Sequence, residues 1–109
     1  VSDLDDRLDD LAQKLAAFAK LMELDAKQAE VARIEARMNE ADFWNDQAKA
    51  KPIVAHLKSM KGLIEPHRAM SASVADDREL AALATSDEER AELLKDVERL
   101  AAEYDRLEL

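Results

Sequence analysis

At 109 residues, with one Gly and no Cys, the chain has room for one domain around one core and has no thiol for a disulfide framework or a thiolate metal site. Ala and Leu dominate the 48% hydrophobic content, and 38% of residues are charged; this is the balance of long helices, so the expected fold is all-α, a small antiparallel bundle of about four heptad-patterned helices. The formal charge of −9 argues against general nucleic-acid binding and sequence-specific DNA recognition, which need clustered Lys and Arg.

The charge is uneven: residues 1–46 carry a net −6, residues 47–75 a net +4, and residues 76–109 a net −7. No apolar run approaches the roughly 20 residues of a membrane span, and no secretory signal pattern opens the chain. The lack of cysteine fits a reducing, cytoplasmic setting.

In the first predicted helix, Ser2 stands as cap with Asp3, Asp5 and Asp6 in the first turn, where the helix dipole favours acids. Leu4, Leu8, Leu11, Leu15, Phe18 and Met22 then repeat at heptad spacing, so this helix packs along most of its length. Leu24 to Gln28 reads as a junction: Asp25 with Gln28 makes a capping-box variant and Leu24 a staple. With no Gly or Pro there, a continuous rod is the alternative. Val31, Ile34 and Met38 give the second helix a short apolar stripe.

Asn39 to Asp46 interrupts the helical pattern with the adjacent rings of Phe43 and Trp44, the latter the only Trp, set among Asn and Asp. The pair is the expected structural anchor where the second and third helices meet: Trp44 is read as a half-buried ring closing the bundle, with a Trp44→Ala loss of about 3–5 kcal/mol if it anchors, and an exposed binding hot spot is the alternative. Asn45 or Asp46 caps a third helix carrying Ile53, Leu57, Met60 and Ile64. Pro52 calls for a start near Lys51 or distorted first turns. Pro66 faces the Gly62 carbonyl and predicts a kink costing about 3 kcal/mol. Residues 70–83 either continue this helix or form a short separate one. In the last helix, Ser86 and Glu89 form a capping box ahead of Leu93, Val97, Leu100, Tyr104 and Leu107, which should run antiparallel to the helix before. Leu109 ends the chain in mid-pattern, suggesting a domain cut from a larger protein.

Nothing in the sequence converges on catalysis. His56 and His67 lie 11 residues apart, about 16 Å along a helix, too far for one metal ion. The acidic pairs Asp9-Asp10, Asp76-Asp77 and Glu88-Glu89 point about 100° apart on a helix and read as solvated helix ends. No Gly-rich phosphate loop occurs, so no enzyme activity, metal or cofactor is expected. The one surface feature above background is a basic stripe of Lys51, Lys58, Lys61 and Arg68, broken by Glu65; it is either a solvated flank paired with acidic helices or a docking face for an acidic protein or RNA.

Leu24-Asp25-Ala26-Lys27, Arg33-Ile34-Glu35-Ala36-Arg37-Met38, the run Ala41-Asp42-Phe43-Trp44-Asn45-Asp46-Gln47-Ala48-Lys49-Ala50, and Leu57-Lys58 together resemble the N-terminal domain of bacterial peptide chain release factor 2. The likeness spans nearly the whole chain. Asp-Phe-Trp-Asn-Asp is its most specific part and marks the second type of factor; Ala41 stands where that family commonly has Pro. The resemblance implies translation termination at UGA and UAA codons, with this segment as a non-catalytic docking domain, residues 1–109, that contacts the ribosomal stalk base and the GTPase release factor. The stop-codon-reading Ser-Pro-Phe and the hydrolytic Gly-Gly-Gln of the family occur nowhere in this sequence. The reading from residues alone, with no family attached, is a stand-alone helical adaptor or coiled-coil protein.

Overall fold

A computed structural model describes residues 3–108; Ser2, the expected first cap, and Leu109, the unpunctuated chain end, lie outside the described residues. Four α-helices follow in order: α1 (Asp3–Leu21), α2 (Leu24–Met38), α3 (Gln47–Leu83) and α4 (Asp87–Glu108), with a 3-10 turn at Ala41–Asn45 between α2 and α3. No strand occurs among the described residues, and the all-α antiparallel bundle expected from the heptads is the fold.

The heptad positions are the ones that bury. Leu4, Leu8, Leu11, Leu15 and Phe18 of α1 join Leu57, Met60, Ile64, Met70 and Val74 of α3 and Val97, Leu100 and Tyr104 of α4 in one contiguous core. The helices do not all lie side by side. α1 and α2 follow one another along the single long rod of α3; α1 also packs on α4, whereas α2 touches α3 alone among the other long helices apart from α1. The molecule is therefore 60 × 23 × 18 Å, three helices thick at one end and two at the other. Both α1 and α4 oppose α3 in direction: Arg78 pairs with Asp9, the His67 ring meets the Leu15 carbonyl, and Arg90 near the start of α4 donates to the Ala81 carbonyl near the end of α3.

The junction between α1 and α2 is a true break. Its hinge is Glu23, in the left-handed region at φ 52°, a conformation costing a non-Gly residue of order 1 kcal/mol. The seams explain it. Extended past Met22, the α1 repeat would fall on Asp25 and Ala29, but α2 buries Leu24 and Val31, so the chain must shift its facing by about one residue. Glu23 N–H bonds to the Lys20 carbonyl at 3.2 Å, and Lys27 Nζ donates to the Met22 carbonyl, closing the exposed end of α1. The Asp25–Gln28 capping box expected here does not form: α2 starts earlier, at Leu24, with no side-chain cap, and Asp25 lies in its first turn.

For α3 the structure chooses among the alternatives that the sequence leaves open. The helix starts at Gln47, not near Lys51, and helical backbone runs unbroken past both Pro52 and Pro66 to Leu83, so residues 70–83 continue it. Asp46 is the cap, its Oδ1 accepting from the Lys49 N–H at 3.2 Å. The bond lost at the Gly62 carbonyl is offset by burial of Met60, Ile64 and Met70 on either side of Pro66, and Gly62 itself is exposed to water. At the head of α4 the Ser86 hydroxyl accepts from the Glu89 N–H at 3.1 Å, as the sequence indicated.

Candidate functional site

The corner at residues 39–46 is built outward from the end of α2. The Asn39 and Glu40 N–H groups bond to the Ala36 and Arg37 carbonyls, and the chain then tightens into the 3-10 turn. That turn aims two consecutive rings in different directions. Phe43 is 5% exposed and lies in a crevice with Ile34, Arg37, Pro52 and Ile53; the Arg37 guanidinium sits 5.8 Å from its ring centre. Pro52 thus serves the corner as a flat apolar wall, which accounts for its place inside α3.

Trp44 turns outward and is 47% exposed. Its ring is nevertheless fixed: Nε1 donates to the Met38 carbonyl, an otherwise open acceptor at the end of α2, at 2.9 Å, and the indole meets Phe43 edge to face at 4.9 Å. The two rings expected to act together as anchor therefore divide: Phe43 enters the interior and Trp44 clamps the helix end from outside.

The basic stripe divides as well. Lys61 pairs with Glu35 at 3.1 Å and Arg68 donates to the Gln28 side chain at 2.9 Å, so these two tie α3 to α2. Lys51 and Lys58 have no ion-pair partner among the described residues. Two turns apart, they border a shallow groove of about 490 Å³ that is lined also by Trp44, Gln47, Val54 and Ala55. Four lysines and arginines that share an approximate stripe in sequence thus form two surfaces, because the three-residue step from Lys58 to Lys61 turns the side chain by about 60° and brings Lys61 and Arg68 round towards α2.

The histidines go separate ways. His56 Nε2 lies 3.2 Å from a Glu30 carboxylate oxygen at the surface, while the half-buried His67 stacks on Phe18 and donates from Nε2 to the Leu15 carbonyl at 2.7 Å. No group of three or more His, Asp or Glu side chains suited to a metal ion occurs among the described residues.

One cluster was not foreseen. Asp77, read from the sequence as half of a solvated acidic pair, is 6% exposed inside the α3–α4 interface, and its Oδ2 has no hydrogen-bond partner. Burial, then the hydrogen bond and negative charge of Asp96, push the Asp77 carboxyl up to about 7. The same hydrogen bond, with the Arg99 guanidinium 2.7 Å away, holds Asp96 below the usual carboxylate range. Asp76 stays exposed, as do Asp9, Asp10, Glu88 and Glu89. The signal was present in the sequence as spacing: Met70, Val74, Asp77 and Ala81 step by three and four, which puts Asp77 on the core face.

No helix among the described residues is long and apolar enough to cross a membrane. No protein-family profile matches the chain. Individual curated proteins do. The chain is 26% identical over its whole length to peptide chain release factor 2 of Exiguobacterium sp.. It is 34% identical over 62% of its length to that of Treponema pallidum, and 29% identical over 80% of its length to that of Bordetella pertussis. The chain spans 31%, 18% and 24% of those three relatives, under a third of each. The resemblance carried by the corner and its flanking helices therefore extends through the chain.

Proposed function

From a similarity to peptide chain release factor 2 that runs the length of the chain, we infer that this protein serves translation termination as the N-terminal docking domain of a larger, cytoplasmic release factor acting at UGA and UAA codons. Residues 1–109 act as one helical unit. Their task is contact, with the ribosomal stalk base and with the GTPase release factor, and the chemistry of peptide release belongs to parts of the factor beyond this segment. The observation that carries this reading is the full-length match to the Exiguobacterium protein.

The physical arrangement suits such a task. An elongated bundle of 60 Å projects a surface far from its attachment, and Asp77, which converges on Asp96, is buried at the α3–α4 interface. Of the basic residues Lys51, Lys58, Lys61 and Arg68, the first two are the candidate contact surface and the other two engage α2, with Phe43 and Trp44 holding the corner beside them. The genomic reading frame supplies the test: a downstream Gly-Gly-Gln and Ser-Pro-Phe in the same frame support a release factor, and a frame that lacks both leaves a stand-alone helical adaptor instead.

A further inference from the structure

We propose that the groove bounded by Trp44, Lys51 and Lys58 is a docking site for an acidic amphipathic helix of a partner protein, which lays bulky apolar side chains on the indole, Val54 and Ala55 and sets carboxylates against the two lysines. This rests on the docking reading above and deepens it by giving the surface a defined occupant.

Three observations converge. The first is the preparation of Trp44. A large apolar ring that leaves 47% of itself in water contributes little to the core, yet this one is held in place by its Nε1 bond to the Met38 carbonyl and by the edge of Phe43. A ring already ordered loses little conformational freedom when a partner covers it, and ordered exposed Trp is the side chain most often found at the energetic centre of interfaces.

The second is charge. Lys51 and Lys58 border one groove, and neither has an ion-pair partner among the described residues. The sequence keeps them so: no Asp or Glu occurs between Asp46 and Glu65. Their neighbours in the stripe, Lys61 and Arg68, are by contrast taken up by Glu35 and Gln28 of α2.

The third is spacing. Lys51 and Lys58 lie seven residues apart, about 10 Å along the axis of α3, which is the separation of carboxylates at positions i and i+7 of an incoming helix. Between them the mostly apolar wall gives the partner a surface to bury. RNA fits less well: two lysines neutralise few phosphates, Asp42 and Asp46 flank the corner, and a chain of net charge −9 repels a polyanion at long range.

Trp44 is the only Trp, so its fluorescence reports occupancy directly, and nitrogen-15 chemical-shift mapping locates it. The 109-residue chain is titrated with a short helical peptide bearing a Leu stripe flanked by Glu at i and i+7, with the same peptide carrying Lys for Glu, and with a single-stranded oligouridine RNA. Saturable binding of the Glu peptide, a blue shift of Trp44 emission, and shifts confined to residues 44–58 are expected. The double variant Lys51→Glu and Lys58→Glu should weaken that binding about tenfold or more, with helix content unchanged. Binding of the Lys peptide as tight as that of the Glu peptide, preference for the RNA, or shifts elsewhere on the bundle would overturn the proposal. A full-length factor carrying the same double variant separates the two readings, since loss of the groove with ribosome association intact removes the occupant and leaves the termination role.

Discussion

Replacing Asp77 by Asn tests the least expected feature of the core. Asp77 sits 6% exposed between α3 and α4 with Oδ2 unbonded, and its carboxyl is pushed up to about 7 by burial and by Asp96. An acid with a raised folded-state value holds its proton more tightly in the fold than in the unfolded chain. Its contribution is therefore complete below about pH 4 and declines as pH rises through about 7, by up to about 4 kcal/mol at 1.36 kcal/mol per unit. Asp96 works the other way, since its value is lowered: its contribution is present above the ordinary carboxylate range and lost only in stronger acid, so it leaves the slope between about pH 4 and pH 7 unchanged. Asn at position 77 keeps the shape, can donate an N–H to Asp96, and does not titrate. Urea unfolding followed by circular dichroism should find Asp77→Asn more stable than the parent by roughly 1–3 kcal/mol near pH 8, with the gap closing near pH 4. A difference that does not change with pH would show that Asp77 ionises normally in the folded chain.

Other substitutions follow from the corner and the breaks. Phe43→Ala should cost about 3–4 kcal/mol in the same unfolding assay, because it empties a buried crevice, whereas Trp44→Ala should cost only about 1–2 kcal/mol through its lost hydrogen bond and ring contact; the reverse order would contradict the placement of the two rings. Glu23→Gly relieves the left-handed backbone at φ 52° and should raise stability by about 0.5–1 kcal/mol, while a loss would mean that the break is not populated in solution. Gly62→Ala should also stabilise by about 0.5–1 kcal/mol, since an added Cβ meets nothing within 4 Å and the residue is mid-helix; a lower melting temperature would point to crowding against Pro66.

Much of the fold was legible because one rule governs it. Apolar residues at steps of three and four picked out Leu4 through Phe18, Leu57 through Ile64, and Val97 through Tyr104, and these are the buried positions. Local side-chain caps were legible too, at Asp46 and Ser86. Several of the misses depend on a partner distant in sequence. Asp77 looks solvated beside Asp76 until α4 brings Asp96 against it. Pro52 read as a helix start near Lys51 or as distorted first turns, and Pro66 as a kink; packing along a 37-residue helix outweighs one lost backbone bond at each, and the helix runs on through both. The hinge at Glu23 lacks the Gly that usually marks a left-handed residue, and only a comparison of the seams before and after it exposes the change of facing. The size of Trp44 argued for a half-buried ring; it is 47% exposed, and what the sequence did not show is that its indole N–H is used on the end of α2. The basic stripe was legible as a set of residues and not as a surface, since ion pairing to α2 separates Lys61 and Arg68 from Lys51 and Lys58.

The central claim is that this chain works by docking in translation termination, and ribosome co-sedimentation tests it most directly. The purified 109-residue chain should pellet with ribosomes in a saturable manner and cross-link through Lys51 or Lys58 to protein at the stalk base, with both signals reduced by reversing the charges of those two lysines. A chain that stays in the supernatant at every ribosome concentration would contradict it, whereas pelleting unchanged by charge reversal would place the contact away from those two lysines.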